Sequence, residues 1–168
     1  MHHLPRHSFY QLTSATVAER EAEARRMAVL RPGQVGLKIP CTLENLALAA
    51  RLAREGYTVG ITAIFKPAQV YLAAQAGARY VLPYVNRSTR LLGDGVALVR
   101  QMRALIDAIP LPLEILAASV KSPDEAVATL LAGAHHLTVS LAVIEDMGEN
   151  PFSQQAIAEF LSKMQPVV

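Results

Sequence analysis

The residue whose type and position most clearly suggest chemistry is Lys38, in the middle of the short apolar stretch QVGLKIPCTLENL at residues 34–46. If this stretch is extended, alternation places Lys38 on the face opposite Leu37 and Ile39. An amine that loses hydration there becomes accessible in its neutral, nucleophilic form, which is the condition for a Schiff base with a carbonyl substrate. The alternative is a lysine on an edge strand whose ammonium group extends to solvent.

The histidines and the single cysteine give weaker signals. The histidines are His2, His3, His7, His135 and His136. Three lie near the start of the chain, and the adjacent pair would point to opposite sides of a strand. Because no carboxylate or cysteine stands at ligand spacing, the sequence predicts neither a metal site nor a cofactor. Cys41 has no partner for an internal disulfide and is interpreted as a small buried residue, sensitive to oxidation.

The composition is that of a globular protein. A chain of 168 residues with 52% apolar residues and a mean hydropathy of +0.26 suits one domain with a substantial core. Lysine and arginine number 16 against 14 aspartates and glutamates and are scattered, so nucleic acid is not an expected partner. The beginning, MHHLPRHSFY, lacks the apolar core of a signal peptide, and no run reaches membrane-spanning length. We expect a cytoplasmic protein without a membrane partner.

The apolar pattern alternates between helical and strand periods. Thr16 and Glu19 are spaced as a capping box, and Ser122 precedes Pro123 as an N-cap. Helices are predicted over residues 14–30, 42–56, 66–77, 95–109 and 122–133, with a last helix after Pro151. Strands are predicted over residues 9–14, 35–39, 58–63, 80–85, 113–119 and 136–141. Such alternation indicates parallel β/α units.

Two parallel architectures fit these units, an open doubly wound sheet and a closed barrel. One face of several predicted strands carries Gln, Lys, Thr or Ser toward its C-terminal end, which is typical of a barrel lumen leading to an active site. We therefore predict an α/β fold of the TIM type, a parallel β/α barrel. A closed barrel needs eight units and six are present, so two units are either absent or supplied by something else.

Four segments, GLKIPCT, ITAIF, VLPYVNR and ILAASVKSPDEA, make the sequence resemble the transaldolase family, in particular its small, fructose-6-phosphate aldolase-like branch. Their order and spacing match from about residue 9 to the end of the chain. The resemblance implies an eight-stranded β/α barrel, a Schiff base on Lys38, and no metal. It also implies a lyase or transferase of carbohydrate metabolism, such as the pentose phosphate pathway.

The same resemblance assigns further residues. Gln11, Thr62 and Tyr84 match the side chains that hold a catalytic water, and a polarised water beside a phenol could move protons near the Schiff base. Taken singly, Thr62 could be a strand former, Gln11 a polar strand end, and Tyr84 an aromatic residue at the barrel mouth. At the positions of Gln11 and Tyr84, the pattern of classical transaldolases has Glu and Phe instead. The resemblance therefore favours aldol cleavage over three-carbon transfer.

For phosphate, the resemblance implies Arg87 and Ser119, because a guanidinium fork and a hydroxyl suit a phosphoryl group. Arg87 could instead form an ordinary surface ion pair. GDG at residues 93–95 lacks the spacing of a phosphate loop and is interpreted as a turn before a helix.

The sequence departs from the family at its beginning. Two strand-helix units of the family, with their aspartate and a TNPS-like segment, have no counterpart, so the sequence is interpreted as an N-terminally shortened, single incomplete barrel domain over residues 1–168. Residues 1–8 are expected to be flexible. Exposed strand edges, and an amphipathic helix within residues 150–168 that could pack on a neighbouring subunit, predict a homo-oligomer.

Three functions remain open. The first is a Schiff-base aldolase acting on a ketose phosphate such as fructose 6-phosphate, with dihydroxyacetone as the lysine-bound unit and small aldehydes or hydroxyketones as partners. The second is a transaldolase that passes this unit between sugar phosphates. The third is a non-catalytic relative that binds sugar phosphates.

Overall fold

The computed structural model describes residues 8–109 and 112–164, in which six strands alternate with helices. Residues 1–7, most of the segment expected to be flexible, lie outside the described residues. The strands are β1 (Ser8–Gln11), β2 (Val35–Pro40), β3 (Thr58–Ile64), β4 (Tyr80–Pro83), β5 (Glu114–Ala117) and β6 (His136–Leu137). The helices are α1 (Val17–Ala28), α2 (Leu43–Arg54), α3 (Pro67–Gln75), α4 (Val85–Leu92), α5 (Gly95–Ala108), α6 (Pro123–Leu131), α7 (Leu141–Gly148) and α8 (Pro151–Lys163).

The strands form one parallel sheet in the order β1-β2-β3-β4-β5-β6, curled into a partial barrel. A doubly wound sheet would reverse its strand order at a switch point, and this sequential order does not. The predicted β/α barrel with six of eight units is therefore confirmed. Within the described part of the chain, β1 and β6 are the outer strands and each has an unpaired edge.

The predicted helix starts are confirmed by their caps. The Thr16 hydroxyl accepts a hydrogen bond from the Glu19 N–H at 3.3 Å, and the Glu19 carboxylate accepts one from the Thr16 N–H at 3.0 Å. Thr42 and Ser122 accept hydrogen bonds in the same way from the backbone N–H groups three residues later. Side chains that satisfy the free N–H groups of a first turn therefore set where these helices begin.

Four strand predictions extend too far: those at residues 9–14 and 113–119 end at Gln11 and Ala117, and two others run into a helix. The predicted strand at residues 80–85 ends at Pro83, and Val85 begins α4. The predicted strand at 136–141 pairs only at His136–Leu137, and Leu141 begins α7. Neither α4 nor α7 has an N-cap side chain that hydrogen bonds to its first turn, and the N-cap residue of α4, Tyr84, is not of a capping type.

The core has two layers. A large apolar layer lies between the helices and the sheet and contains Leu37, Ile39, Val59, Ile61 and Val81. A second group fills the concave side of the sheet and is called here the lumen cluster. It consists of Phe9, Tyr80, Leu82 and Leu116. The lumen cluster needs glycine beneath it, because a Cβ atom at Gly36 would lie 2.6 Å from the Phe9 ring.

Gly95 controls how closely α5 packs on α4. A Cβ atom there would lie 2.0 Å from the carbonyl oxygen of Val85, so Gly95→Ala requires the two helices to separate. We expect this variant to lower the free energy of unfolding by about 2 kcal/mol, measured by urea denaturation. Gly148→Ala is the matched control, because a Cβ atom there meets nothing within 4 Å. Equal denaturation midpoints for the two variants would contradict this account of the packing.

The described segments contain no helix that is both long enough and apolar enough to cross a bilayer.

Candidate active site

Strand register places Lys38 inside the barrel. Gln11 pairs with Lys38, and Lys38 pairs with Gly60, which in turn pairs with Tyr80. In a parallel sheet such partners share one level and one face. Because Tyr80 belongs to the lumen cluster, Gln11 and Lys38 also belong to the concave face. Lys38 is half-buried there, not on an exposed edge.

Lys38 shares an open cavity of about 410 Å³ with three of the other predicted residues. These are Tyr84, Arg87 and Ser119. The cavity lies where the C-terminal ends of β2, β4 and β5 meet, the end of a β/α barrel at which active sites are built. A lysine, a phenol, a guanidinium and a hydroxyl that are distant in sequence therefore surround one space.

The Tyr84 ring contacts one aromatic residue and one cation. Its ring meets the Phe65 ring edge-on, with the centroids 5.9 Å apart. The guanidinium carbon of the exposed Arg87 lies 4.8 Å from the Tyr84 centroid, within cation-π range. The Tyr84 ring is thus held on two sides, and Arg87 lies over it at the cavity rim.

Ser119 holds an unusual backbone conformation. Its φ is +59°, in the left-handed region that non-glycine residues rarely adopt. The Ser119 carbonyl accepts a hydrogen bond of 2.9 Å from the Asn86 N–H, which ties the end of β5 to the first turn of α4. Such strain persists only where neighbouring contacts hold it, and here it sets the position of a cavity-lining hydroxyl.

Thr62 and Gln11 do not line this cavity. Thr62 is paired with Pro40 and Leu82, one side-chain repeat beyond Lys38 along the concave face. Its hydroxyl is buried and has no hydrogen-bond partner among the described residues. The Gln11 amide nitrogen donates to the carbonyl oxygens of Leu12 and Lys38, at 3.2 and 3.4 Å. Gln11 thus contacts the backbone of the lysine strand.

Lys121 is a cavity residue that the sequence interpretation missed. It lines the same space as Arg87 and Ser119 and is exposed. The available signal was its position two residues after Ser119 in LAASVK. The segment after β6 contributes Thr138 and Ser140 to the opposite wall.

A buried carboxylate beneath the β1-α1 loop was also missed. Glu23 is 3% exposed and accepts hydrogen bonds from the Tyr10 hydroxyl at 2.9 Å, the Thr13 N–H at 3.1 Å and the Ser14 N–H at 3.0 Å. Burial alone would raise the pKa of Glu23, but the hydrogen bonds from Ser14, Tyr10 and Thr13 lower this pKa to about 2. The hydrogen bonds to Glu23 therefore hold the loop that follows Gln11 in place.

The two described histidines and Cys41 do not line the cavity. His135 accepts a hydrogen bond from the Ile115 N–H at 2.9 Å, whereas His136 contacts the Glu114 carboxylate at 2.8 Å, so the two rings have different partners. Over residues 8–109 and 112–164, no three His, Cys, Asp or Glu side chains could hold a metal ion together. Burial raises the pKa of the half-buried Cys41 thiol, which disfavours the reactive thiolate.

The family comparison matches this arrangement. The model of the family described as transaldolase/fructose-6-phosphate aldolase covers residues 9–167. The chain belongs to this family. The resemblance carried by the segments around Lys38, Tyr84 and Ser119 is therefore confirmed, and the transaldolase family accounts for the parallel β/α architecture.

Curated relatives point the same way. A probable transaldolase 2 of Bacillus anthracis is 36% identical over 149 residues, which cover 88% of this chain and 67% of the relative. A probable transaldolase of Agathobacter rectalis is 38% identical over 138 residues, covering 82% of this chain and 63% of the relative. The chain thus spans about two thirds of the length of these transaldolase family members.

More distant solved structures share the fold alone. A mandelate oxidase variant superposes with a TM-score of 0.61 at 14% identity, covering 79% of this chain and 49% of that chain. A flavocytochrome b2 variant superposes with a TM-score of 0.59 at 14% identity, covering 78% of this chain and 41% of that chain. At this identity the likeness concerns architecture and says nothing about chemistry.

Proposed function

We propose that this chain is a class I aldolase that cleaves or forms a carbon–carbon bond in a ketose phosphate, with Lys38 as the Schiff-base lysine. One observation carries the proposal: the half-buried Lys38 shares a single cavity with Tyr84, Arg87 and Ser119. Fructose 6-phosphate is the proposed type of substrate, and dihydroxyacetone is the lysine-bound unit. The cytoplasm remains the compartment in which we expect this activity, to be checked by cell fractionation.

The proposed reaction uses Lys38 as the nucleophile. Its nitrogen adds to the ketone carbon, and loss of water gives an iminium. Removal of the proton from the hydroxyl of the aldehyde half then breaks the carbon–carbon bond, whose electrons move to the iminium nitrogen as the aldehyde leaves. Protonation of the remaining enamine and hydrolysis release dihydroxyacetone and restore Lys38. We assign the proton transfers to the Tyr84 phenol and a water held by Thr62 and Gln11.

The phosphate of the substrate is assigned to two other cavity-lining residues, Arg87 and Ser119. Arg87 and Ser119 supply a fork of donors and a hydroxyl, and Lys121 adds a second cation to the same wall. A phosphate bound there would place the carbonyl end of an extended sugar toward Lys38. These groups support recognition of a phosphorylated over a neutral sugar.

Transaldolase activity is the second candidate, because the Bacillus anthracis and Agathobacter rectalis relatives are named probable transaldolases. The two activities share the Schiff base and differ in what the enamine carbon bonds to, a proton in the aldolase or the aldehyde carbon of an aldose in the transaldolase. Gln11 and Tyr84 favour the aldolase.

Borohydride trapping tests the proposal. The full chain is incubated with dihydroxyacetone, reduced, digested and mapped by mass spectrometry, and the proposal expects a reduced adduct on Lys38. Turnover of fructose 6-phosphate with and without erythrose 4-phosphate separates aldolase from transaldolase. Stabilisation by sugar phosphates without any adduct would instead identify a non-catalytic sugar-phosphate binder.

We further propose that the chain forms a homo-oligomer through α8, in which no residue is buried. Its exposed apolar side chains are Phe152, Ile157, Phe160, Leu161 and Met164. A helix with such an uncovered apolar stripe needs a partner surface. Phe160→Ser should lower the molecular mass measured by sedimentation, whereas the polar control Gln154→Ser should not. An unchanged mass for both variants would remove α8 from the interface.

A further inference from the structure

The two segments that form the proposed phosphate end are joined by one carboxylate. Glu125, in the first turn of α6, accepts a hydrogen bond from the backbone N–H of Lys121 at 2.7 Å. Its other oxygen accepts a hydrogen bond of 3.3 Å from the Asn86 side-chain amide. Asn86 immediately precedes Arg87, and Lys121 is two residues after Ser119. The Glu125 carboxylate thus contacts both segments that carry the cations.

Glu125 has this reach because α6 itself is firmly capped. The Glu125 N–H donates to the Ser122 hydroxyl at 3.2 Å, which fixes the first turn of the helix. In a capping box the glutamate at this position would bind the N–H of Ser122. Here the Glu125 side chain extends one residue further back and accepts the hydrogen bond from the Lys121 N–H. It therefore contacts the loop that lines the cavity.

Backbone hydrogen bonds alone do not hold Lys121. The Val85 and Asn86 N–H groups donate to the carbonyls of Ala118 and Ser119, both at 2.9 Å, and these bonds stop at Ser119. Ser119 itself lies beyond the end of β5 and has a positive φ, so the regular strand pairing does not continue to Lys121. Glu125 supplies the next contact along the loop, at Lys121.

We propose that Glu125 is a positioning residue for phosphate recognition, holding the Ser119–Lys121 loop against the Asn86–Arg87 turn so that their donors converge on one phosphate. This inference rests on the proposed function for its substrate, although binding of inorganic phosphate tests it separately. Glu125 is not among the cavity-lining residues, and its two oxygens already accept N–H donors.

A purely electrostatic role for Glu125 predicts the opposite change in phosphate affinity from a positioning role. If Glu125 acted only as a negative charge near the phosphate, Glu125→Gln would strengthen phosphate binding. If Glu125 positions the loop, the same change weakens binding, since one amide oxygen cannot accept both hydrogen bonds with the geometry of a carboxylate. The sign of the change therefore distinguishes the two roles.

The experiment compares Glu125→Gln with Asp124→Asn, which removes the same charge one residue away on an exposed side chain. Arg87→Ala serves as the reference for loss of a phosphate ligand. The full-length variants are titrated with inorganic phosphate by calorimetry, assayed for the KM of fructose 6-phosphate, and trapped with unphosphorylated dihydroxyacetone. We expect Glu125→Gln to weaken phosphate binding and raise KM about fivefold, with trapping at Lys38 within about twofold of the unmodified protein.

A phosphate affinity for Glu125→Gln that equals or exceeds that of the unmodified protein overturns the positioning role. So does an equal loss in Asp124→Asn. Asn86→Ala gives an independent arm, because it removes the donor to Glu125 without adding a charge and should also weaken phosphate binding. If the unmodified protein yields no adduct on Lys38, the aldolase proposal fails, while the phosphate titration still decides the role of Glu125.

Discussion

Replacement of Lys38 by arginine should abolish the dihydroxyacetone adduct and lower turnover by about 1,000-fold or more. Arginine keeps a positive charge on the concave face, but its guanidinium stays protonated and is not a nucleophile. Lys38 is half-buried beside Tyr84 in the cavity, so the substitution removes the reacting nitrogen and retains a long cationic side chain. Borohydride trapping with peptide mapping and a fructose 6-phosphate cleavage assay measure the two effects.

The control for this experiment is Lys163→Arg, an exposed position on α8 far along the chain from the cavity. Its adduct yield and turnover should match those of the unmodified protein. Lys121 is the informative competitor, because it is the other lysine lining the cavity. An adduct that maps to Lys121, or that still forms in Lys38→Arg, would show that Lys38 is not the nucleophile. That result would contradict the proposed mechanism.

Replacement of Glu23 by glutamine should lower the free energy of unfolding by about 3 kcal/mol at neutral pH. The buried carboxylate accepts N–H and O–H donors from Tyr10, Thr13 and Ser14, and a glutamine can satisfy only part of this set. Urea denaturation measures the loss. Glu44→Gln, an exposed glutamate in the first turn of α2, is the control and should change stability by less than about 0.5 kcal/mol.

The contribution of Glu23 should also depend on pH. Its pKa in the folded protein is about 2, below the ordinary value of 4.5, so the folded state favours the ionised form. The stabilisation that ionised Glu23 gives to the folded state is fully present above its ordinary pKa of 4.5. It is lost as pH falls from about 4.5 toward 2. The unmodified protein should therefore lose stability more steeply than Glu23→Gln across this interval. Parallel acid denaturation curves for the two proteins would show that Glu23 is not the group responsible.

Local signals in the sequence predicted most of the helices and the sheet. Capping side chains such as Thr16 and Ser122 mark helix starts through hydrogen bonds that span only three residues. α4 lacks such a signal because Tyr84 is not a capping residue, and Ser140, which precedes α7, makes no side-chain cap bond. The strand-like composition of the segment after His136 was misleading, because β6 pairs on one side only and for only two residues.

The residues of the candidate site also differ in how far the sequence could predict them. Lys38 could be selected because a lysine interrupts an apolar predicted strand, whereas Tyr84, Arg87 and Ser119 were selected through the family resemblance. Their convergence, however, depends on the curl of the sheet. The contacts of Glu23 and Glu125 were not predictable, because each joins segments through a side chain that resembles any other helix-surface glutamate in the sequence.

The lumen cluster also determines how Lys38 meets solvent. Phe9 and Tyr80 fill the barrel at and below the level of the lysine, and Leu82 stands one side-chain repeat beyond it. These side chains close the lumen from below, which leaves the upper opening and the open side between β1 and β6 as approaches to the amine. Under the proposed mechanism, a ketone that enters there would displace the water around Lys38. Binding of the ketone and loss of hydration by the amine would then occur together.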